Sequence, residues 1–131
     1  MKTIQTISSI TLLIILLVGC TKNVRSHNNV FGDDRAKVTI IDSELLDKIT
    51  ILGPRKILLA NKLIKAQVDI NSTTEEEYTF DYKFLWYDNK GFVIGTSIWK
   101  PFFIQGKTLN KISNIGPRNA KKFECRLKLT N

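Results

Sequence analysis

The chain has 131 residues, 43% of them hydrophobic, and carries 20 Lys and Arg against 12 Asp and Glu, a formal charge of +8. That length allows one packed core and hardly two, and two cysteines cannot make a disulfide framework. A single histidine leaves zinc sites and catalytic triads almost nothing to draw on.

The opening segment has Lys2 as its only charge, then the apolar run Ile10 to Val18, then Gly19 and Cys20. A membrane-crossing helix needs about 20 apolar residues. A secretory h-region needs about 7 to 15 between a basic start and a small-residue cleavage site, and this run fits that description. Leu17, Val18, Gly19 and Cys20 resemble the bacterial lipobox, in which small residues let the scissile bond enter the peptidase extended and the cysteine thiol accepts a diacylglyceryl group. Residues 1–19 are therefore expected to be a cleaved lipoprotein signal peptide, with Cys20 the lipidated first residue of the mature chain. At about 0.8 kcal/mol per buried methylene, two or three acyl chains would anchor it permanently. Thr21 stands where an Asp would favour inner-membrane retention, so the expected location is the cell envelope, with the outer membrane favoured. Cleavage removes Lys2 and no acid, so the mature charge falls from +8 to +7. A basic surface suits anionic headgroups, anionic wall polymers or an acidic protein face, and export argues against nucleic acid.

From Cys20 to Asp34 the residues are mostly polar, with no hydrophobic period, which reads as a flexible tether at 20–34. His27 falls within it and reads as a solvated linker residue rather than a metal ligand. Residues 35–131 read predominantly as strand. Val38 and Ile40 open the series, Ser43 to Ile49 suggests a short helical turn or irregular connection, and Gly53 with Pro54 reads as a break before a short strand at Ile57 to Leu59. Ala66, Val68 and Ile70 alternate with Lys65, Gln67 and Asp69, a half-buried strand. After the acidic connection around Glu75 to Glu77, Tyr78, Phe80, Tyr82, Phe84 and Trp86 share one face of a strand. This stripe is expected to be core, since each aromatic buries roughly 150 to 250 Å². Asp88 to Gly91 supplies a hairpin turn returning through Phe92, Val93 and Ile94. Trp99 to Ile104 reads as another strand, with Pro101 suiting an edge or bulge, and a turn at Gln105 to Lys107 leads to Leu109 and Ile112. The last strand alternates Phe123, Cys125, Leu127 and Leu129 with Glu124, Arg126 and Lys128, placing Cys125 on the apolar face as a small hydrophobe. The pattern predicts an all-β, immunoglobulin-like antiparallel β-sandwich without a disulfide.

The stretch Tyr82, Lys83, Phe84, Leu85, Trp86, Tyr87, Asp88, Asn89, Lys90, Gly91 resembles the signature of the YcfL family of small bacterial envelope lipoproteins, an aromatic strand running into a Trp-Tyr-Asp turn closed by Gly. Ala66 to Ser72 upstream, and Trp99, Gln105 to Lys107, Ile115 to Pro117 and Phe123 to Leu129 downstream, fall in similar order. The resemblance implies an exported, lipid-anchored, immunoglobulin-like module. It supplies no catalytic residues.

No metal-ligand spacing and no glycine-rich phosphate loop occur, so no metal or other cofactor is expected, and the chain does not read as an enzyme. Asp81 and Asp88 lie at odd spacing on or beside one strand, which sets them on opposite faces, and Asp88 reads as a turn former. Gly-Pro-Arg occurs twice, at Gly53 to Arg55 and Gly116 to Arg118, each followed by further cations. If the two turns share a side, Arg55, Lys56, Arg118, Lys121 and Lys122 form an anion-binding patch. The competing interpretation is two ordinary turns with solvated charges. The expected function is a non-enzymatic envelope binding or assembly module acting on another envelope protein or an anionic polymer. The alternative is an accessory regulatory subunit of a cell-wall-modifying enzyme.

Overall fold

The computed structural model describes residues 29–32 and 35–130. Cys20, the lipobox and His27 lie outside these residues, as does the greater part of the expected tether. The strands are β1 (Asn29–Phe31), β2 (Ala36–Ile40), β3 (Ile49–Leu58), β4 (Ile64–Ser72), β5 (Tyr78–Tyr87), β6 (Val93–Thr96), β7 (Lys100–Ile104), β8 (Leu109–Ile115) and β9 (Lys122–Leu129). A 3-10 turn at Ser43–Asp47 joins β2 to β3.

These strands form two sheets. The larger runs in the order β1-β2-β9-β5-β6, with β7 also pairing β5, and the smaller is β3-β4-β8. The expected β-sandwich is therefore present, with three departures from the sequence-based expectation. The first is that β2 and β9 pair in parallel, Ala36 opposite Phe123 and Ile40 opposite Leu127, so the sandwich is not wholly antiparallel. Secondly, β3 runs through Gly53 and Pro54 without breaking. A register shift between Ile51 and Pro54 absorbs one extra residue as a bulge, and Gly53, at φ 123, supplies the positive dihedral. Pro54 is tolerated because β3 pairs only with β4 and leaves its other edge open. Finally, β1 lies inside the segment expected to be tether, antiparallel to β2 with Asn29 opposite Ile40.

The core fills the space between the sheets. Ala66, Val68 and Ile70 of β4 and Ile112 of β8 face Phe80, Phe84 and Trp86 of β5, Phe123, Cys125 and Leu127 of β9, and Val38 and Ile40 of β2. The aromatic stripe is mostly core, as its composition predicts: Phe80, Phe84 and Trp86 are buried, while Tyr78 and Tyr82 at the margin are only half-buried. Phe123 lies 5.7 Å from Trp86 and 6.0 Å from Phe84, ring centre to ring centre. Fully burying such a side chain stabilises by about 1.5 to 3 kcal/mol. Among the described residues this burial, and not a disulfide, holds the two sheets together. Trp86 Nε1 donates to Asn114 Oδ1 of β8 at 2.8 Å, so the one polar atom of the buried indole links the two sheets. Cys125 is fully buried, and burial pushes its thiol well above the ordinary cysteine range, with Glu124 adding to the rise.

Candidate anion-binding site

Strand direction decides which charges meet. The ends of β3, β5 and β8 and the starts of β2, β4, β6 and β9 lie at one end of the sandwich. Backbone hydrogen bonds stitch this end together: Lys121 N to Tyr87 O at 2.8 Å, Phe123 N to Arg35 O at 3.1 Å and Gly116 N to Ile64 O at 2.8 Å. The connections here carry Arg35, Lys62, Lys90, Arg118 and Lys121, with Lys56 and Lys122 on the adjoining strands. Asp88 is the only carboxylate of these connections among the described residues. Its Oδ1 accepts from Lys90 N at 2.8 Å and Phe92 N at 3.0 Å, holding the hairpin turn that the sequence predicts. Asp33 and Asp34, between β1 and β2 in sequence, still leave cations in excess.

The opposite end carries the reverse sign. It holds Asp42, Glu44 and Asp47 around the 3-10 turn and Glu75 to Glu77 before β5, against Lys48 and Lys107. Both lysines are already paired, Lys107 with Glu75 at 2.7 Å and Lys48 with Glu76 at 3.6 Å. Ten residues of β5 separate the ends by about 33 Å. That exceeds the screening length of about 8 Å at physiological salt, so the two potentials do not cancel locally.

The sequence-predicted patch forms in part. Lys56, Lys121 and Lys122 line one depression of about 300 Å³ together with Arg35 and Asn89. Arg118 lines a neighbouring depression of about 380 Å³ with Lys62 and Lys121, so Lys121 is common to both. Lys56 Nζ donates to the Lys121 carbonyl at 3.0 Å, which holds that ammonium over the cleft. Arg55 does not join. It stands opposite Gln67 on the outer side of the smaller sheet and pairs through Nη2 with the buried Asp69 carboxylate, which also accepts from Gln67 Nε2 at 3.0 Å. The first Gly-Pro-Arg is a bulge within β3, and the strand period sends Arg55 and Lys56 to opposite sides. Sequence reasoning missed Arg35 and Asn89. No local signal marks Arg35, because it reaches the cleft through the parallel pairing of β2 with β9.

Residues 36–129 match the family described as "Protein of unknown function (DUF1425)". The chain belongs to the DUF1425 family. Apart from Arg35, every cation of the basic end named above falls within the matched DUF1425 segment. Two solved structures share the fold. The crystal structure of Campylobacter jejuni cj0090 is similar at a TM-score of 0.61 and 18% identity, covering 71% of this chain and 97% of that one. A DUF1425 family member from Shewanella sp. pv-4 is similar at a TM-score of 0.57 and 23% identity, covering 63% of this chain and 79% of that one. No curated protein matches this DUF1425 chain.

Proposed function

We propose that this protein is a lipid-anchored, non-enzymatic binding module of the bacterial envelope that holds an anionic envelope polymer at the basic end of its sandwich. The observation that carries the reading is the segregation of charge along the strand axis, cations around Lys56, Lys121 and Lys122 and carboxylates around Glu75 to Glu77. A uniformly basic surface would express composition alone, whereas this arrangement concentrates positive potential where backbone bonds tie the ends of β2, β5 and β9 together. The lipobox-like Leu17 to Cys20 and the YcfL-like stretch Tyr82 to Gly91 support anchoring through Cys20, with the outer membrane as the favoured site.

The test is co-sedimentation of the full chain in detergent with purified cell-wall material across a salt series. Binding that weakens as salt rises, and is lost when Lys56, Arg118, Lys121 and Lys122 are reversed together to Glu, is the expected result. Binding indifferent to both refutes it.

A second reading, an accessory subunit of a wall-modifying enzyme, is favoured by a different feature. Phe92, Val93 and Ile98 at and beside the short edge strand β6 are 67%, 53% and 75% exposed, an apolar rim next to an open edge. Crosslinking in cells that recovers one envelope enzyme at fixed stoichiometry, and depends on these residues, favours this reading over polymer binding.

A further inference from the structure

We propose that the depression lined by Arg35, Lys56, Asn89, Lys121 and Lys122 is a phosphate-recognition cleft, accepting phosphate groups of the anionic ligand rather than carboxylates. The inference rests on the anion-binding reading above and narrows it to one chemistry.

The lining is the starting point. The five residues come from four separate regions: Arg35 before β2, Lys56 near the end of β3, Asn89 in the β5–β6 turn, and Lys121 and Lys122 at the start of β9. Among the described residues the lining holds no carboxylate and no apolar side chain. Phosphate is tetrahedral and presents several oxygens in diverging directions, so it is best held by donors converging from different sides. A carboxylate is planar and is matched best by one forked guanidinium, a geometry that lysine ammoniums do not offer. Lysine serves as a point-charge phosphate binder, and the amide of Asn89 adds a neutral donor.

The cleft is also preorganised. Lys56 Nζ is fixed by the Lys121 carbonyl at 3.0 Å, Lys121 N by Tyr87 O at 2.8 Å, and the Arg35 carbonyl by Phe123 N at 3.1 Å. Asn89 sits in a turn closed by Gly91 N to Asp88 O at 3.2 Å and by both bonds to Asp88 Oδ1. The backbones that carry the cations are thus tied together before a ligand arrives, which lowers the ordering cost of binding. A volume of about 300 Å³ has room for one phosphate and part of its ester, so a polymer would thread across the cleft and the Arg118 depression would meet its next charge.

The experiment titrates the full chain in detergent micelles by calorimetry with inorganic polyphosphate, with polygalacturonate of matched charge, and with glycerophosphoglycerol, the water-soluble deacylated form of the phosphatidylglycerol headgroup, all at one ionic strength. Polyphosphate is expected to bind at least about tenfold more tightly than polygalacturonate. K56Q/K121Q/K122Q is expected to remove that preference, K56R/K121R to retain most of it, and R55Q to leave it unchanged. Unfolding midpoints of each variant establish that the fold survives. Headgroup binding equal to or tighter than that of polyphosphate assigns the phosphate to a lipid headgroup, and weaker binding assigns it to a free polymer. Equal affinity for polyphosphate and polygalacturonate overturns the phosphate inference while leaving the anion-binding reading in place. Failure of all three ligands to bind overturns both.

Discussion

Replacing Gly116 with alanine tests the packing that sets the basic end on the core. A Cβ at this position would lie 2.7, 2.8 and 2.9 Å from Cε3, Cδ2 and Cζ3 of Trp86. That is about 0.8 Å inside the distance at which carbon atoms attract most strongly. The indole has little freedom to retreat: Trp86 is 1% exposed, its Nε1 is held by Asn114 at 2.8 Å and its ring packs on Phe123 at 5.7 Å. Gly116 does not have a positive φ, so the cost is steric overlap and not backbone strain. Overpacking of this kind costs about 1 to 3 kcal/mol. In a domain of this size that lowers the unfolding midpoint by about 4 to 8 °C per kcal/mol. Urea and thermal unfolding followed by tryptophan fluorescence measure it in G116A, and a double-mutant cycle with W86F identifies the cause, because phenylalanine lacks the benzo ring that meets the new methyl. The coupling should be about 1 kcal/mol or more, G116A being better tolerated in the W86F background. Additive effects of the two substitutions would refute the claim that Gly116 is there to admit the indole.

Cys125 gives a pH dependence with a defined sign. Its buried thiol stays protonated in the folded state above the ordinary cysteine pKa, whereas the unfolded chain releases that proton from about pH 8.5. Stability is therefore full below about pH 8.5 and falls as pH rises above it, by up to about 1.4 kcal/mol per pH unit, and C125A should flatten this slope in urea titrations taken between pH 7 and 10. R55A strips Asp69 of its charged partner, leaving a carboxylate with 9% side-chain exposure bonded to Gln67 alone. It should lower stability by about 1 to 3 kcal/mol in urea unfolding without changing affinity for any anion. D88A frees two backbone donors in the hairpin turn and should cost about 0.5 to 1.5 kcal/mol.

Alternation in the sequence was enough to locate β4, β5 and β9 and to place Phe80, Phe84, Trp86 and Cys125 inside, because a sheet with one buried face writes its period directly into the residue order. The Asp88 turn was legible for a similarly local reason: an aspartate bonding the amides two and four residues on needs nothing from the rest of the chain. At Gly53 and Pro54 local reading misled. A glycine and a proline mark a turn as readily as a bulge, and the open edge of β3 is a property of sheet order that the segment does not contain.

The membership of the basic site could not be read locally either. Lys56, Lys121 and Lys122 were visible as cations, but whether they converge depends on strand direction and on a one-residue register. Those two facts send Arg55 to Asp69 on the outer side of the smaller sheet and bring in Arg35 through the parallel pairing of β2 with β9. Periodicity along a chain fixes which side of a strand a residue occupies relative to its neighbours. Only the packing of the two sheets decides which charges share an end, because that grouping arises between residues far apart in sequence.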